Sequence, residues 1–212
     1  MQAMADLTLF LIVLTDFAVL GSSRLSACIK AVALQGLLLG ALPLVLHPEL
    51  SLHAVALSAG TVVIKAGVLP WFLRWAIREA AVRREVEPRV GYMASIGLGV
   101  GALAIAFSVV NVLPLEAPGT DLLVPVALTT VMIGLIVLVT RSKALIQVVG
   151  YLMLENGIYL FGLPQIERVP FLVEAGVLLD VFVGVFIMGI VVFHINREFD
   201  SISAARLTEL RD

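Results

Sequence analysis

This sequence is short of charge. Only 14% of its 212 residues are Asp, Glu, Lys or Arg, while 60% are hydrophobic; a soluble domain carries about a quarter charged and less apolar content. Cysteine is nearly absent. With Cys28 alone, the chain can form no internal disulfide, and it cannot by itself hold a cysteine-ligated iron–sulfur cluster or zinc ion. The three histidines, His47, His53 and His194, fall near the ends of apolar segments, whereas a membrane haem needs axial ligands that face each other inside a bundle. No catalytic, cofactor-binding or metal-binding residue is therefore expected, and no nucleic-acid partner. Met1 to Leu20 has no Lys or Arg ahead of its hydrophobic run, so it lacks the basic start of a signal peptide and is expected to stay as a helix.

What the chain does have is apolar runs long enough to cross about 30 Å of hydrocarbon, which takes roughly 17–25 residues each. Breaks at charged, Pro and Gly positions predict an all-α bundle with seven membrane spans, at 4–20, 26–46, 53–75, 92–113, 122–140, 144–162 and 171–194. No segment is left over for a separate soluble core. The lipid bilayer is thus the first partner, and 1–212 reads as one membrane domain. Its basic residues set an orientation. Arg24, Arg74, Arg78, Arg83, Arg84, Arg89, Arg141, Lys143, Arg197, Arg206 and Arg211 all fall on one side of that topology, while only Arg168 falls on the other. Cytoplasmic loops are enriched in Lys and Arg, so the N-terminus is expected outside and the C-terminus inside. The Arg- and Glu-rich stretch from Arg74 to Arg89 either continues the third helix beyond the bilayer or lies along it. It can meet anionic lipid or a cytoplasmic partner subunit. The tail to Asp212 reads as a short amphipathic helix.

The informative residues are ionisable ones at membrane depth, where a charged side chain costs about 2.5–3.5 kcal/mol even on the lenient insertion scale. In the sixth span Gln147, Tyr151, Glu155 and Tyr159 recur every four residues, which lines them along one helix face. Glu155 should face protein or water rather than lipid. In the seventh span Asp180 has Gly176 and Gly184 four residues to either side, so a neighbouring helix is expected to approach closely there. Glu174, six residues before Asp180, is either a pathway entrance or a solvated interfacial acid. Lys65, deep in the third span, is the best internal cation, pairing with a buried acid or relaying a proton. Asp16 and Lys30 are expected within about a turn of the cytoplasmic side, where snorkelling and pairing explain them. Gln35 is expected to pack by hydrogen bonding across helices.

The region from Leu122 to Arg197 resembles the small three-helix subunit of the complex I membrane arm and the C subunit of Mrp-type sodium/proton antiporters. It carries the short basic turn Arg141 to Lys143, then Gly150 with Asn156 six residues on, then Asp180 four residues before Gly184. It departs from the complex I subunit in having Leu152 two residues after Gly150, with its acid at Glu155 instead. Over essentially the whole chain, with LENGIYLFGLP followed by VEAGVLLDVFVGVFIMGI, the sequence resembles the hydrogenase-4 component E family. Four helices (1–121) then precede the three-helix unit (122–197), and 198–212 forms a cytoplasmic tail. Lys65, Pro70 and Trp71 are also similar to the lysine and proline of a broken helix in antiporter-like subunits.

The resemblance implies a non-catalytic inner-membrane subunit of a complex I-related oxidoreductase. Its partners would be antiporter-like membrane subunits and a peripheral hydrogenase or quinone-reductase-like module. Glu155, Asp180, Lys65 and Glu174 would belong to a proton or sodium pathway, with Gln147, Tyr151 and Tyr159 in support. An assembly scaffold that conducts no ions and a subunit of an Mrp-type cation/proton antiporter are the alternatives.

Overall fold

The computed structural model describes residues 2–46, 52–79, 89–112, 120–163, 176, 179–190 and 192–193. Glu174, Arg168, Arg83, Arg84 and the tail 198–212 lie outside the described residues. Helices follow the apolar runs closely: α1 (Gln2–Gly21), α2 (Leu25–Leu46), α3 (Leu52–Thr61), α4 (Leu69–Glu79), α5 (Tyr92–Val112), α6 (Leu123–Thr140) and α7 (Ala144–Gly162). A shorter apolar helix, α8 (Leu179–Ile190), represents the seventh span. Hydrocarbon offers backbone N–H and C=O groups no partner, so each crossing segment must satisfy its own by forming a helix. Pro125 is in the first turn of α6, where N–H groups have no intrahelical partner and proline costs little.

Among the described residues six helices are long and apolar enough to span a bilayer, with α4 and the residues before it counting as one from Ser58 to Glu79. Large apolar side chains such as Phe10, Leu14, Trp71, Val100, Val139 and Phe182 are exposed around the outside. A water-soluble surface would not carry so much uncovered apolar area, and here it is the face turned to lipid.

The third span is not a uniform helix. Between α3 and α4 the backbone widens into a seven-residue π segment, Val62–Val68, and the Leu69 N–H bonds the Ile64 carbonyl five residues back. Pro70 follows directly. It has no N–H to give to the Ala66 carbonyl, and its ring crowds that carbonyl, so the regular ladder fails there and the wider turn takes over. Lys65 lies inside this segment.

Glycines bring the rods into backbone contact. α6 and α7 form the most extensive pair. A Cβ at Gly134 would lie 2.5 Å from the Leu154 nitrogen, and one at Gly150 would lie 2.8 Å from the Leu138 nitrogen. On α2, a Cβ at Gly36 would meet the Lys65 backbone at 2.7 Å, so this glycine seats the π segment. Gly176 and Gly184 behave otherwise: a Cβ added at either would meet nothing within 4 Å among the described residues. The close helix contact expected there is not made among those residues, and α8 packs through Val183 and Ile187.

The core comes in two apolar blocks. One holds Val19, Leu20, Cys28, Ile29, Ile133, Val137, Val148, Val149 and Leu152; the other holds Leu9, Ile12, Leu39, Leu42, Leu123, Val126 and Leu160. On α1, α2, α6 and α7 the two blocks are separated by a polar residue: Asp16, Gln35, Thr130, and the Glu155–Asn156 pair, all buried. A polar layer therefore crosses the bundle between two apolar halves.

At one end of the bundle Arg141, in the turn between α6 and α7, is buried. Its Nη2 donates to the Leu20 carbonyl at 2.7 Å, its guanidinium lies over the Tyr92 ring at 5.3 Å, and the Arg89 N–H bonds the Thr140 carbonyl at 2.8 Å. Arginine suits this because its planar, weakly hydrated head can stack and donate at once. At the opposite end Thr120 donates to Asp6 at 2.5 Å.

Replacing Gly150 by Val should force α6 and α7 apart, since the clash is with backbone rather than a movable side chain. A loss of about 1–3 kcal/mol is expected, seen as a lower thermal midpoint in detergent. Gly101→Ala, where nothing lies within 4 Å, should leave the midpoint unchanged.

Candidate functional site

Lys65, Glu155 and Asp180 come together from three separate elements. The Lys65 ammonium donates to Glu155 Oε1 at 2.6 Å and to Asp180 Oδ1 at 3.2 Å, and all three residues are buried. The wide π turn and the Gly36 contact place the lysine backbone against α2 while its side chain reaches α7 and α8. Glu155 Oε2 is buried with no hydrogen-bond partner among the described residues. One ammonium is thus shared by two carboxyl groups, one of which keeps an open acceptor. If all three were ionised, the cluster would carry one uncompensated negative charge. At membrane depth such a charge is expensive, so the cluster suits one additional proton or cation.

The polar stripe of α7 runs antiparallel to the third span. Tyr159 meets Thr61 at 3.4 Å, Glu155 meets Lys65 four residues forward on the third span and four back on α7, and Gln147 donates to the Arg141 carbonyl at 3.1 Å. Tyr151 is half-buried and, with Gln147, lines a crevice of about 250 Å³ formed also by Leu138, Val148, Phe182, Val183 and Phe186. The stripe thus continues from the charge cluster toward the Arg141 end along a face that α8 only partly covers.

A second buried cluster adjoins the first. Gln35 donates to Asp16 Oδ1 at 2.7 Å, Thr130 donates to Asp16 Oδ2 at 2.8 Å, and Asn156 donates to the Gln35 carbonyl oxygen at 2.9 Å. Asp16 has no measurable exposure. The sequence reading of Asp16 as an acid explained by snorkelling or pairing near the membrane face is therefore overturned. Lys30, by contrast, is exposed as expected. A signal for Asp16 exists in the sequence: it is the one acid inside the apolar part of the first span, and Gln35 is the one amide of the second.

An apolar-surfaced helix bundle with ionic side chains held at mid-depth is a polytopic membrane protein. The chain belongs to the same family as the Mycobacterium tuberculosis protein described as Uncharacterized protein Rv0085, with which it is 34% identical over 204 residues, 95% of this chain and 93% of that one. It is similar to hydrogenase-4 component E of Escherichia coli K12 and of Shigella flexneri, being 26% identical over 157 residues, 73% of this chain and 72% of each relative. No family model matches the chain, and no solved structure matches it.

Lys65→Met would leave Glu155 and Asp180 buried without their cation. Removing one partner of a buried pair costs about 3–5 kcal/mol, so the folded yield in mild detergent should fall steeply. Adding Glu155→Gln to the same chain should recover part of that yield, because one of the stranded carboxyls is then neutral.

Proposed function

We propose that this protein is a non-catalytic membrane-arm subunit of a hydrogenase-4-type, complex I-related assembly in the cell inner membrane. In this reading its Lys65–Glu155–Asp180 cluster takes part in moving protons or sodium ions across the bilayer. The observation that carries the proposal is the single ammonium held between two carboxyls from separate helices, beside an unpartnered buried oxygen. Such a group responds strongly to charge. When a neighbouring site gains or loses a proton, the ammonium can shift its weight from one carboxyl to the other, and the carboxyl it leaves becomes the better proton acceptor. A redox step in a partner module needs only such a field change to drive ion movement. The similarity to hydrogenase-4 component E supports membrane partners of the antiporter-like kind and a peripheral hydrogenase or quinone-reductase-like module.

Within this reading the crevice at Gln147 and Tyr151 serves as the approach to the cluster from the Arg141 end, which the basic-residue pattern assigns to the cytoplasm. Glu174, outside the described residues, is the candidate on the opposite side. Residues 1–121 and 122–197 act as one membrane domain.

The chain, tagged at its C-terminus and extracted gently at native expression, should co-purify stoichiometrically with antiporter-like subunits and a redox module. In that complex Glu155→Gln and Asp180→Asn should leave redox turnover in place and reduce ion pumping to background. Mutant complexes that form in low yield yet pump normally would make the protein a scaffold. Recovery of the chain alone as a stable monomer would point to an autonomous transporter.

A further inference from the structure

The Asp16 cluster is not used by the cluster around Lys65, and its geometry has a chemistry of its own. Among the described residues no ion pair reaches Asp16. The elements packed on α1 offer it no cation: α2 carries Cys28, whose thiol is directed to the Val19 carbonyl, and the exposed Lys30. α5 carries Tyr92 in its first turn, under Arg141, and α6 has no titratable residue. From α7, Glu155 is held by Lys65, and Tyr151 faces the crevice. Arg141 donates to the Leu20 carbonyl, one helical turn beyond Asp16 on α1, and makes no ion pair with Asp16. A carboxylate here would be a bare charge held by neutral donors inside a membrane protein, an arrangement that favours binding a proton.

The two donors are not equivalent. The Gln35 amide nitrogen can only donate, and its orientation is fixed because its oxygen accepts from Asn156. The Thr130 hydroxyl can donate or accept by rotating about its C–O bond. With Asp16 ionised, Thr130 donates to Oδ2. With a proton on Oδ2, the new O–H donates to Thr130, which turns to accept, while Gln35 keeps donating to Oδ1. The carboxyl holds both of its hydrogen bonds in either state. Two fixed donors would have made protonation cost a bond.

We propose that Asp16 is a second proton-binding site, independent of lysine, at which the proton resides on Oδ2 and Thr130 reverses its hydrogen bond on each uptake and release. This does not depend on the assignment to a hydrogenase-type complex. Together the two clusters give the polar layer three carboxyls and one ammonium among the described residues, with places for two protons.

The test is pH-difference infrared spectroscopy of the full chain reconstituted in lipid. The wild type should show a protonated-carboxyl C=O band that grows as pH falls and disappears in Asp16→Asn. Thr130→Val should move that band to higher wavenumber, because the carboxyl loses one of its hydrogen bonds. Thr130→Ser, which keeps the hydroxyl, should restore its position. Should Asp16→Asn fail to fold, the Thr130 pair carries the assignment alone. The proposal is overturned if Asp16→Asn leaves every titrating carboxyl band in place, if the band it removes does not respond to pH, or if Thr130→Val and Thr130→Ser give the wild-type band.

Discussion

A charge placed midway through a lipid bilayer has to be answered by groups within reach of its own atoms, because no solvent will do it. Lys65 is answered twice, by Glu155 and by Asp180, and much of the bundle serves that sharing. The π segment gives the lysine its position in a rod that Pro70 prevents from being a regular helix. Gly36 lets that rod lie against the α2 backbone, and the α6–α7 glycines hold Glu155 on a rigid pair. Two acids for one base leave the cluster short of a positive charge, and a proton or a cation is what supplies it.

The second consequence is a layered core. Apolar packing above and below the polar residues fixes their depth, and α1, α2 and α6 each contribute one polar position to the layer while α7 contributes two. Hydrogen bonds across membrane helices are individually modest, about 0.6 to 2 kcal/mol. Their value here is directional. Asn156, Gln35 and Thr130 all donate toward Asp16, and Asn156 follows Glu155 on α7. The two carboxyl clusters are thereby neighbours in one network, and neutralising one changes the field felt at the other.

Spans were legible in the sequence because hydropathy depends only on local composition. Tyr92–Val112, Leu123–Thr140 and Ala144–Gly162 lie within a residue or so of the ranges expected from breaks in the apolar runs. The face of α7 carrying Gln147, Tyr151, Glu155 and Tyr159 was legible too, since a period of four needs no tertiary information. Lys65 could be marked as an internal cation, but its two partners, 90 and 115 residues away, could not be assigned from spacing. Asp16 was misjudged for a definite reason: counting residues from a helix end gives depth, whereas burial depends on which way the side chain points. Arg141 does stand in the turn between α6 and α7, but its burial was not legible, because a guanidinium that caps the end of a neighbouring helix leaves no mark in the local sequence. Gly176 and Gly184 show the converse, small residues whose expected close neighbour is not found among the described residues.

The shared ammonium can be measured directly by solid-state NMR in lipid bilayers, recoupling the 15N-labelled Lys65 side chain to 13C-labelled carboxyl carbons. The account requires dephasing from both the Glu155 and the Asp180 carboxyl, each contribution vanishing in Glu155→Gln or Asp180→Asn respectively. A Lys65 nitrogen coupled to neither carboxyl, or found beside lipid phosphate, would contradict it.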